Sequence, residues 1–254
     1  MTIKDLAIET DSKKFSSEDH IKNNNCFISI VIPLYNEEKS IQNVLSRIPH
    51  YNNYEILIID DGSTDNSIKK VQEIKDSRIK IIKHERNKGY GKAILTGFIH
   101  SKGDIVVTLD SDGQHNPEEI SKIIEPIINK KADIVIGSRY LGKSNYKIPL
   151  YVRTGEMFIS YILWIFFGKK INNNQSGYRA FNRKSINLLK YTKDTGMGFT
   201  TEILFRSSYN NLELCEIPII VEPRKHGVSR VNLIKLIKSI FICVAYYFFR
   251  KRKL

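Results

Sequence analysis

Short, nearly continuous apolar runs alternate along the chain with stretches in which apolar residues recur every three or four positions. Phe27–Pro33 (FISIVIP), Tyr54–Ile59 (YEILII), Ile79–Lys83, Asp104–Leu109 (DIVVTL) and Asp133–Ile136 are rich in β-branched residues. Runs of this kind are expected of strands buried on both faces. Between them, Ile41, Val44, Leu45 and Ile48, then Ile68, Val71 and Ile74, then Ala93–His100 keep helical spacing. Asn36 is placed to cap the first helix, with Glu37 and Glu38 behind it. Asn116, Pro117 and Glu118-Glu119 mark a further helix start. No internal repeat and no low-complexity block stands out beyond Asn-rich patches. The alternation predicts an α/β fold, a mostly parallel sheet with helices on both faces. Such sheets bind ligands beyond the carboxyl ends of their strands. Three of the runs end in polar turns, Tyr35-Asn36-Glu37, Asp60-Asp61-Gly62-Ser63 and Asp110-Ser111-Asp112, which are expected to meet in one crevice.

After about residue 140 the pattern changes. Met157–Phe167 (MFISYILWIFF) is almost wholly apolar and ends at Gly168. A helix of that length is about 16 Å long, short of a bilayer. Its aromatic density suits a headgroup boundary. Val231–Phe249 shows helical spacing of Val231, Ile234, Ile237, Phe241, Val244 and Phe248, interrupted by Lys235 and Lys238. This is the pattern of an interfacial amphipathic helix. Residues 1–25 read as a polar, flexible leader without a secretory apolar stretch. The expected organisation is therefore a leader (1–25), an α/β domain (26–230) with an interfacial helix at 157–168, and a basic amphipathic helix and tail (231–254).

Composition changes the picture in one respect. The chain has 254 residues, 40 Lys+Arg and 27 Asp+Glu, a formal charge of +13, with 41 % apolar and 26 % charged residues. It can bury a full core without staples, and Cys26, Cys215 and Cys243 form no CxxC pair, which fits a reducing compartment. The excess charge invites nucleic acid, an anionic membrane or a phosphorylated substrate. From Pro223 onward there is no acid and there are nine Lys or Arg residues. These alternate with bulky aliphatics rather than with stacking aromatics, so an anionic membrane surface is expected and nucleic acid is not.

Asp110-x-Asp112 at a strand end is the strongest chemical signal, since two carboxylates on one turn can share Mg²⁺ or Mn²⁺ and leave places for phosphate oxygens. Gln114 and His115 are near enough in sequence to add donors. The turn Asn87–Lys92 has glycines that let backbone N–H groups approach a ligand, but it matches neither G-x-x-x-x-G-K-[ST] nor a G-x-G-x-x-G after the first strand.

Taken together, SIVIPLYNEE (29–38), IIDDGSTD (58–65), NKGYGKA (87–93), LDSDGQH (109–115) and IGSRY (136–140) resemble the family 2 glycosyltransferases of GT-A fold. QSGYRAF (175–181), GMGFTTEILFR (196–206), EIPI (216–219) and RKHGVSR (224–230) resemble the branch of dolichol- and polyprenyl-phosphate mannosyl- and glucosyltransferases. The resemblance covers about residues 27–232. It implies inverting, metal-dependent hexose transfer from a UDP- or GDP-linked donor to a polyprenyl phosphate at the cytoplasmic face of the membrane, and the short apolar run and basic amphipathic segment predict a peripheral or monotopic attachment there. It places Pro33, Tyr35, Glu37, Asp60 or Asp61, Lys92 and Ser111 at the donor and makes Asp110, Asp112 and Gln114 the ligands of Mg²⁺ or Mn²⁺. Arg139 and Arg153 match the acceptor-phosphate arginines, with Arg179 and the Arg224–Arg230 segment as further candidates; guanidinium forks suit phosphate. An anionic acceptor needs no strong base. The alternative is a hydroxyl acceptor in polysaccharide, glycolipid or protein glycan synthesis, for which Glu202 would be the base. One departure is Asn172-Asn173-Asn174, where relatives usually carry an Asp. The sugar, the isoprenoid length and the oligomeric state are not written in the sequence.

Overall fold

β1 (Ile28–Leu34) and β2 (Tyr54–Asp60) are apolar along nearly their whole length because helices cover both faces of the sheet. The chain is seen in a computed structural model that describes residues 26–50, 53–192, 196, 198–225, 238 and 241–247. Ile28, Ile30, Ile32 and Leu34 point into one core, against α1 (Ile41–Ser46), α2 (Ser67–Gln72) and α4 (Ile120–Ile128). Val31, Leu57 and Ile59 point into a second core on the opposite face. There they meet α3 (Tyr90–His100), α5 (Leu150–Phe167), α6 (Arg183–Leu189) and α7 (Phe199–Tyr209).

The seven strands run in the order β3-β2-β1-β4-β6-β5-β7, with β3 at Ile79–Lys83, β4 at Ile105–Thr108, β5 at Ile134–Ser144, β6 at Arg179–Asn182 and β7 at Leu214–Val221. All pairings are parallel except those of β6, which runs against both β4 and β5. The expected α/β architecture is present, and the carboxyl ends of β1, β2 and β4 lie on one edge. Because β6 is reversed, its first residue, Arg179, pairs with Thr108 and Ile136 at that same edge.

Four features differ from the reading of the pattern. The four-residue β6 and the eight-residue β7 carry no strong alternation, and the pattern does not predict them as strands. β7 is an edge strand of mixed burial that tolerates Pro218. β5 runs eight residues past Ile136, through polar positions, because β7 pairs with it across an irregular register between Ser138 and Lys143. Asn36 does not cap α1, whose N-cap is Ser40 and which has no acid in its first turn. Asn36 instead adopts a left-handed conformation (φ 54°).

The apolar helix α5 begins seven residues before Met157, so its 18 residues span about 27 Å rather than 16 Å. By length and composition it could cross a membrane. Its inner face, however, packs Ile159, Ile162 and Leu163 into the second core. Met157, Phe158, Tyr161, Trp164 and Ile165 remain exposed. The leader and most of the expected C-terminal helix lie outside the described residues. Residues 241–247 are helical. There Cys243 and Tyr247 are buried in the second core, while Phe241, expected on the apolar stripe, is 61 % exposed.

Candidate active site

The three polar turns are stitched together at the carboxyl edge. Asn36 Oδ1 accepts from Thr64 N (2.7 Å), and Glu37 N donates to Ser67 Oγ (2.8 Å), which ties the turn after β1 to the turn after β2. Ser40 Oγ donates to the carbonyl of Ser111 (2.8 Å), which ties the same turn to the Asp110–Asp112 turn after β4. The expected convergence of the three turns is seen, because the parallel register puts the ends of β1, β2 and β4 on one edge.

Asp110 sits between Tyr90, whose hydroxyl lies 3.3 Å from Oδ1, and His115, whose Nδ1 lies 3.5 Å from Oδ2. A Cβ on Gly177 would stand 2.5 Å from Asp110 Oδ2, so glycine is the residue that leaves room for this carboxylate. Asp112 Oδ1 accepts from Gln114 N (3.0 Å), and its Oδ2 accepts from the Arg224 guanidinium. Arg224 Nη1 also lies 3.7 Å from Glu37 Oε1. Burial, and then the neighbouring Asp112 charge acting against His115, holds the Asp110 carboxyl above its ordinary value. Two acids in a crowded pair, one of them already drawn to a guanidinium, form a site with an appetite for positive charge. No cluster of three His, Cys, Asp or Glu in metal-holding positions occurs among the described residues. Two carboxylates on one turn suit a hard divalent cation that fills its remaining places with water and phosphate oxygens. The Gln114 side chain donates to the carbonyl of Glu222 (3.1 Å).

Of the residues expected around a donor, Pro33, Tyr35 and Glu37 lie half-buried at the end of β1, and Lys92 lies half-buried in the first turn of α3. Ser111 is buried. Asp60 and Asp61 differ in duty. Asp60 Oδ1 accepts from Ser63 N (2.9 Å). Asp61 takes Lys88 N (2.8 Å), Gly89 N (2.9 Å) and the His84 ring (2.7 Å).

The candidate arginines differ in what they touch. Arg139 Nη2 lies 3.1 Å from both oxygens of the buried Glu156, and Nη1 donates to the Tyr146 hydroxyl (3.0 Å). Tyr140 also donates to Glu156, and burial together with that bond pushes its hydroxyl up to about 12. Arg153 is exposed on α5. It lines a groove of about 770 Å³ with Tyr140, Glu156, Met157, Tyr161, Trp164 and Lys170. Arg179 cannot meet a phosphate. It is 2 % exposed and donates to the carbonyls of Ser176, Asn174 and Thr200, and burial brings its guanidinium down to about 10. Its role is to hold the loop that carries Gly177. Glu202 is buried in the first turn of α7, on the helix face that carries Phe205 and Tyr209. Tyr247 packs on that face, its hydroxyl raised first by burial and then by the Glu202 charge.

The Asn172–Asn174 run is occupied in building the loop. Asn172 N and Asn173 N donate to Glu216 (2.9 and 2.7 Å), and Asn174 Nδ2 donates to the carbonyl of Glu156 (2.7 Å). Glu156, Lys170 and Glu216 were missed from the sequence. The signal for Glu156 was present, an acid in an apolar helix three residues after Arg153.

Comparison with known proteins gives the family and the fold. The family model described as glycosyl transferase family 2 matches residues 29–189. The UDP-N-acetylglucosamine–dolichyl-phosphate N-acetylglucosaminyltransferase of Methanococcus voltae is 34 % identical over 222 residues, covering 80 % of this chain and 88 % of its own. The dolichol-phosphate mannosyltransferase of Pyrococcus furiosus is 32 % identical over 213 residues, covering 81 % of this chain and 59 % of its own. Glucosyl-3-phosphoglycerate synthase of Mycobacterium tuberculosis, solved with Mn²⁺, UDP and phosphoglyceric acid, superposes with a TM-score of 0.73 at 19 % identity. That match covers 92 % of this chain and 82 % of the other, and it shows a shared GT-A fold. The chain belongs to glycosyltransferase family 2, on the branch of the dolichol- and polyprenol-phosphate transferases.

Proposed function

We propose that the protein transfers a hexose, with inversion, from a UDP- or GDP-linked donor to a polyprenyl phosphate at the cytoplasmic face of the membrane. The observation that carries this reading is the groove along α5. Arg153, Met157, Tyr161 and Trp164 follow one another at helical spacing along its wall, and Lys170 also lines it. A phosphate headgroup needs the cations, and an isoprenoid chain needs the apolar wall beside them. The exposed face of α5 and the exposed Phe241, Ile242 and Tyr246 all belong to helices packed on the second core. They support docking of that side of the molecule on a membrane, with the basic segment after Pro223 adding attraction to anionic lipid.

In this reading Pro33, Tyr35, Glu37 and Asp60 contact base and ribose, and Lys92 and Ser111 lie along the diphosphate. Asp110 and Asp112, with Gln114, would hold Mg²⁺ or Mn²⁺, which would supply positive charge against the departing nucleoside diphosphate. Arg139, fixed by Glu156 and Tyr146, and Arg153 hold the acceptor phosphate, whose oxygen forms the new bond to the anomeric carbon as the bond to the diphosphate breaks. The acceptor is already anionic, so no side chain removes a proton and Glu202 has no part in the step.

The test is transfer of labelled sugar onto polyprenyl phosphate with Mg²⁺ or Mn²⁺, across a panel of UDP- and GDP-sugars. A mild-acid-labile glycolipid formed with one donor is the expected result. Slow donor hydrolysis without glycolipid would move the acceptor to a hydroxyl and overturn the lipid-phosphate assignment.

A further inference from the structure

His84 follows β3 and is buried, and no step above uses it. Its backbone N–H donates to the carbonyl of Asp60 (2.8 Å), which extends the β2–β3 ladder by one rung. Its ring is engaged at both nitrogens, with Nδ1 2.7 Å from Asp61 Oδ1 and Nε2 2.9 Å from Thr96 Oγ1 on α3. A neutral imidazole satisfies this pair in one tautomer, Nδ1–H donating to the carboxylate and Nε2 accepting from the hydroxyl. Asp61 passes the constraint on, since its two oxygens accept from Lys88 N and Gly89 N, the start of the glycine turn. The next residue in that turn, Tyr90, reaches Asp110 with its hydroxyl (3.3 Å). The turn is also packed against the end of β2. Gly62 has φ +80°, and a Cβ there would stand 2.7 Å from Arg86 C and 2.8 Å from Asn87 N.

We propose that His84 is the positioning residue of the donor side, acting through Asp61 to fix the turn Asn87–Lys92 and, through Tyr90, the carboxylate of Asp110. The inference rests on the reading of the Asp110–Asp112 crevice as the donor–metal site. It also divides the two neighbouring acids, since Asp61 is committed to the protein and the donor role of the proposed reading falls to Asp60. The residue touches neither donor nor metal. Its contribution is rigidity at a turn that glycines would otherwise leave free.

The experiment compares His84→Phe, His84→Asn and Thr96→Val in the full chain. The readouts are binding of UDP and of GDP with Mn²⁺, the KM for polyprenyl phosphate, the melting temperature, and amide exchange at residues 87–92. His84→Phe is expected to weaken nucleotide–Mn²⁺ binding by roughly 10- to 100-fold and to speed exchange in the turn, with the acceptor KM unchanged. Asn can offer an N–H near the position of Nδ1, so His84→Asn is expected to restore most of the affinity, and Thr96→Val to lose less than His84→Phe. Native affinity and native exchange in His84→Phe would overturn the proposal. So would equal losses in His84→Phe and His84→Asn that track melting temperature and fall on donor and acceptor alike. Asp110→Ala is the control for the underlying reading. If that variant binds nucleotide and Mn²⁺ normally, the donor-site assignment fails, and the exchange data still decide whether His84 orders the turn.

Discussion

At the scale of single residues, the crevice depends on where two carboxylates point. Asp110 has Gly177 pressed against it and Asp112 has Arg224 on its outer oxygen. Asp112→Ala removes half of the acid pair and is expected to lower metal-dependent turnover by about a hundredfold or more, with circular dichroism and melting temperature near those of the parent. Gly177→Ala leaves every charge in place but puts a methyl group within 2.5 Å of Asp110 Oδ2. It is expected to cost turnover in the same direction by displacing that oxygen. Full activity in Gly177→Ala would mean that the carboxylate need not stay where it lies. The Asp-x-Asp pair was legible in the sequence because its two acids are neighbours in the chain. Gly177 and Arg224 were not legible as partners of that pair, since they lie 67 and 112 positions away from Asp110 and Asp112.

At the scale of elements, two staples set the frame. Glu55 on β2 accepts from Ser29 Oγ on β1 (2.7 Å), Lys102 N (2.9 Å) and Lys80 Nζ on β3 (2.7 Å), so one carboxylate joins three strands to the loop before β4. Burial alone would raise this carboxyl, but the bonds from Lys80, Lys102 and Ser29 hold it below its usual value. A lowered carboxyl pKa contributes stability above the unfolded value of about 4.5, which is lost as pH falls through the folded value. Glu55→Gln is expected to lose about 1–3 kcal/mol at neutral pH and to flatten the acid limb of a stability-versus-pH curve. The second staple is Glu156, which locks α5 to Arg139 and Tyr140 on β5. With α5 so anchored, its exposed Arg153 is free to serve the groove. Arg153→Ala is expected to raise the KM for polyprenyl phosphate about tenfold, within the strength of charge-assisted hydrogen bonds, while nucleotide binding stays as in the parent. Equal losses for donor and acceptor would make Arg153 a structural residue.

At the scale of the whole molecule, the two faces of the sheet have unequal surfaces. The helices on the second core present Met157, Phe158, Tyr161, Trp164 and Ile165 to solvent, as well as Phe241 and Ile242. Exposed apolar patches of this kind mark interaction surfaces. The chain has one tryptophan, Trp164, which is 55 % exposed on this patch. Its emission is expected to shift to the blue on adding vesicles containing anionic lipid, less with neutral vesicles, and the shift is expected to weaken as salt is raised. Indifference to vesicles would remove the membrane from the account of α5.

The sequence by itself determined the strands β1 to β4, the helices between them, the crevice at their carboxyl ends and the Asp110–Asp112 pair. Each of these is local, set by the two-residue or 3.6-residue period of buried side chains or by acids adjacent in the chain. The tertiary structure decided the rest. It made β6 and β7 strands by lending them neighbours, because a four-residue strand such as β6 carries too little alternation to declare itself. It lengthened α5 past its apolar run, to a start at Leu150, with the buried Glu156 bound to Arg139 and Tyr140 of β5. It turned Arg179 from a candidate phosphate ligand into the support of a loop, because three carbonyls lay within its reach. Asp60 and Asp61, identical and adjacent in the chain, acquired different duties. Strand geometry points successive side chains to opposite sides, and one of the two met His84 and the glycine turn there.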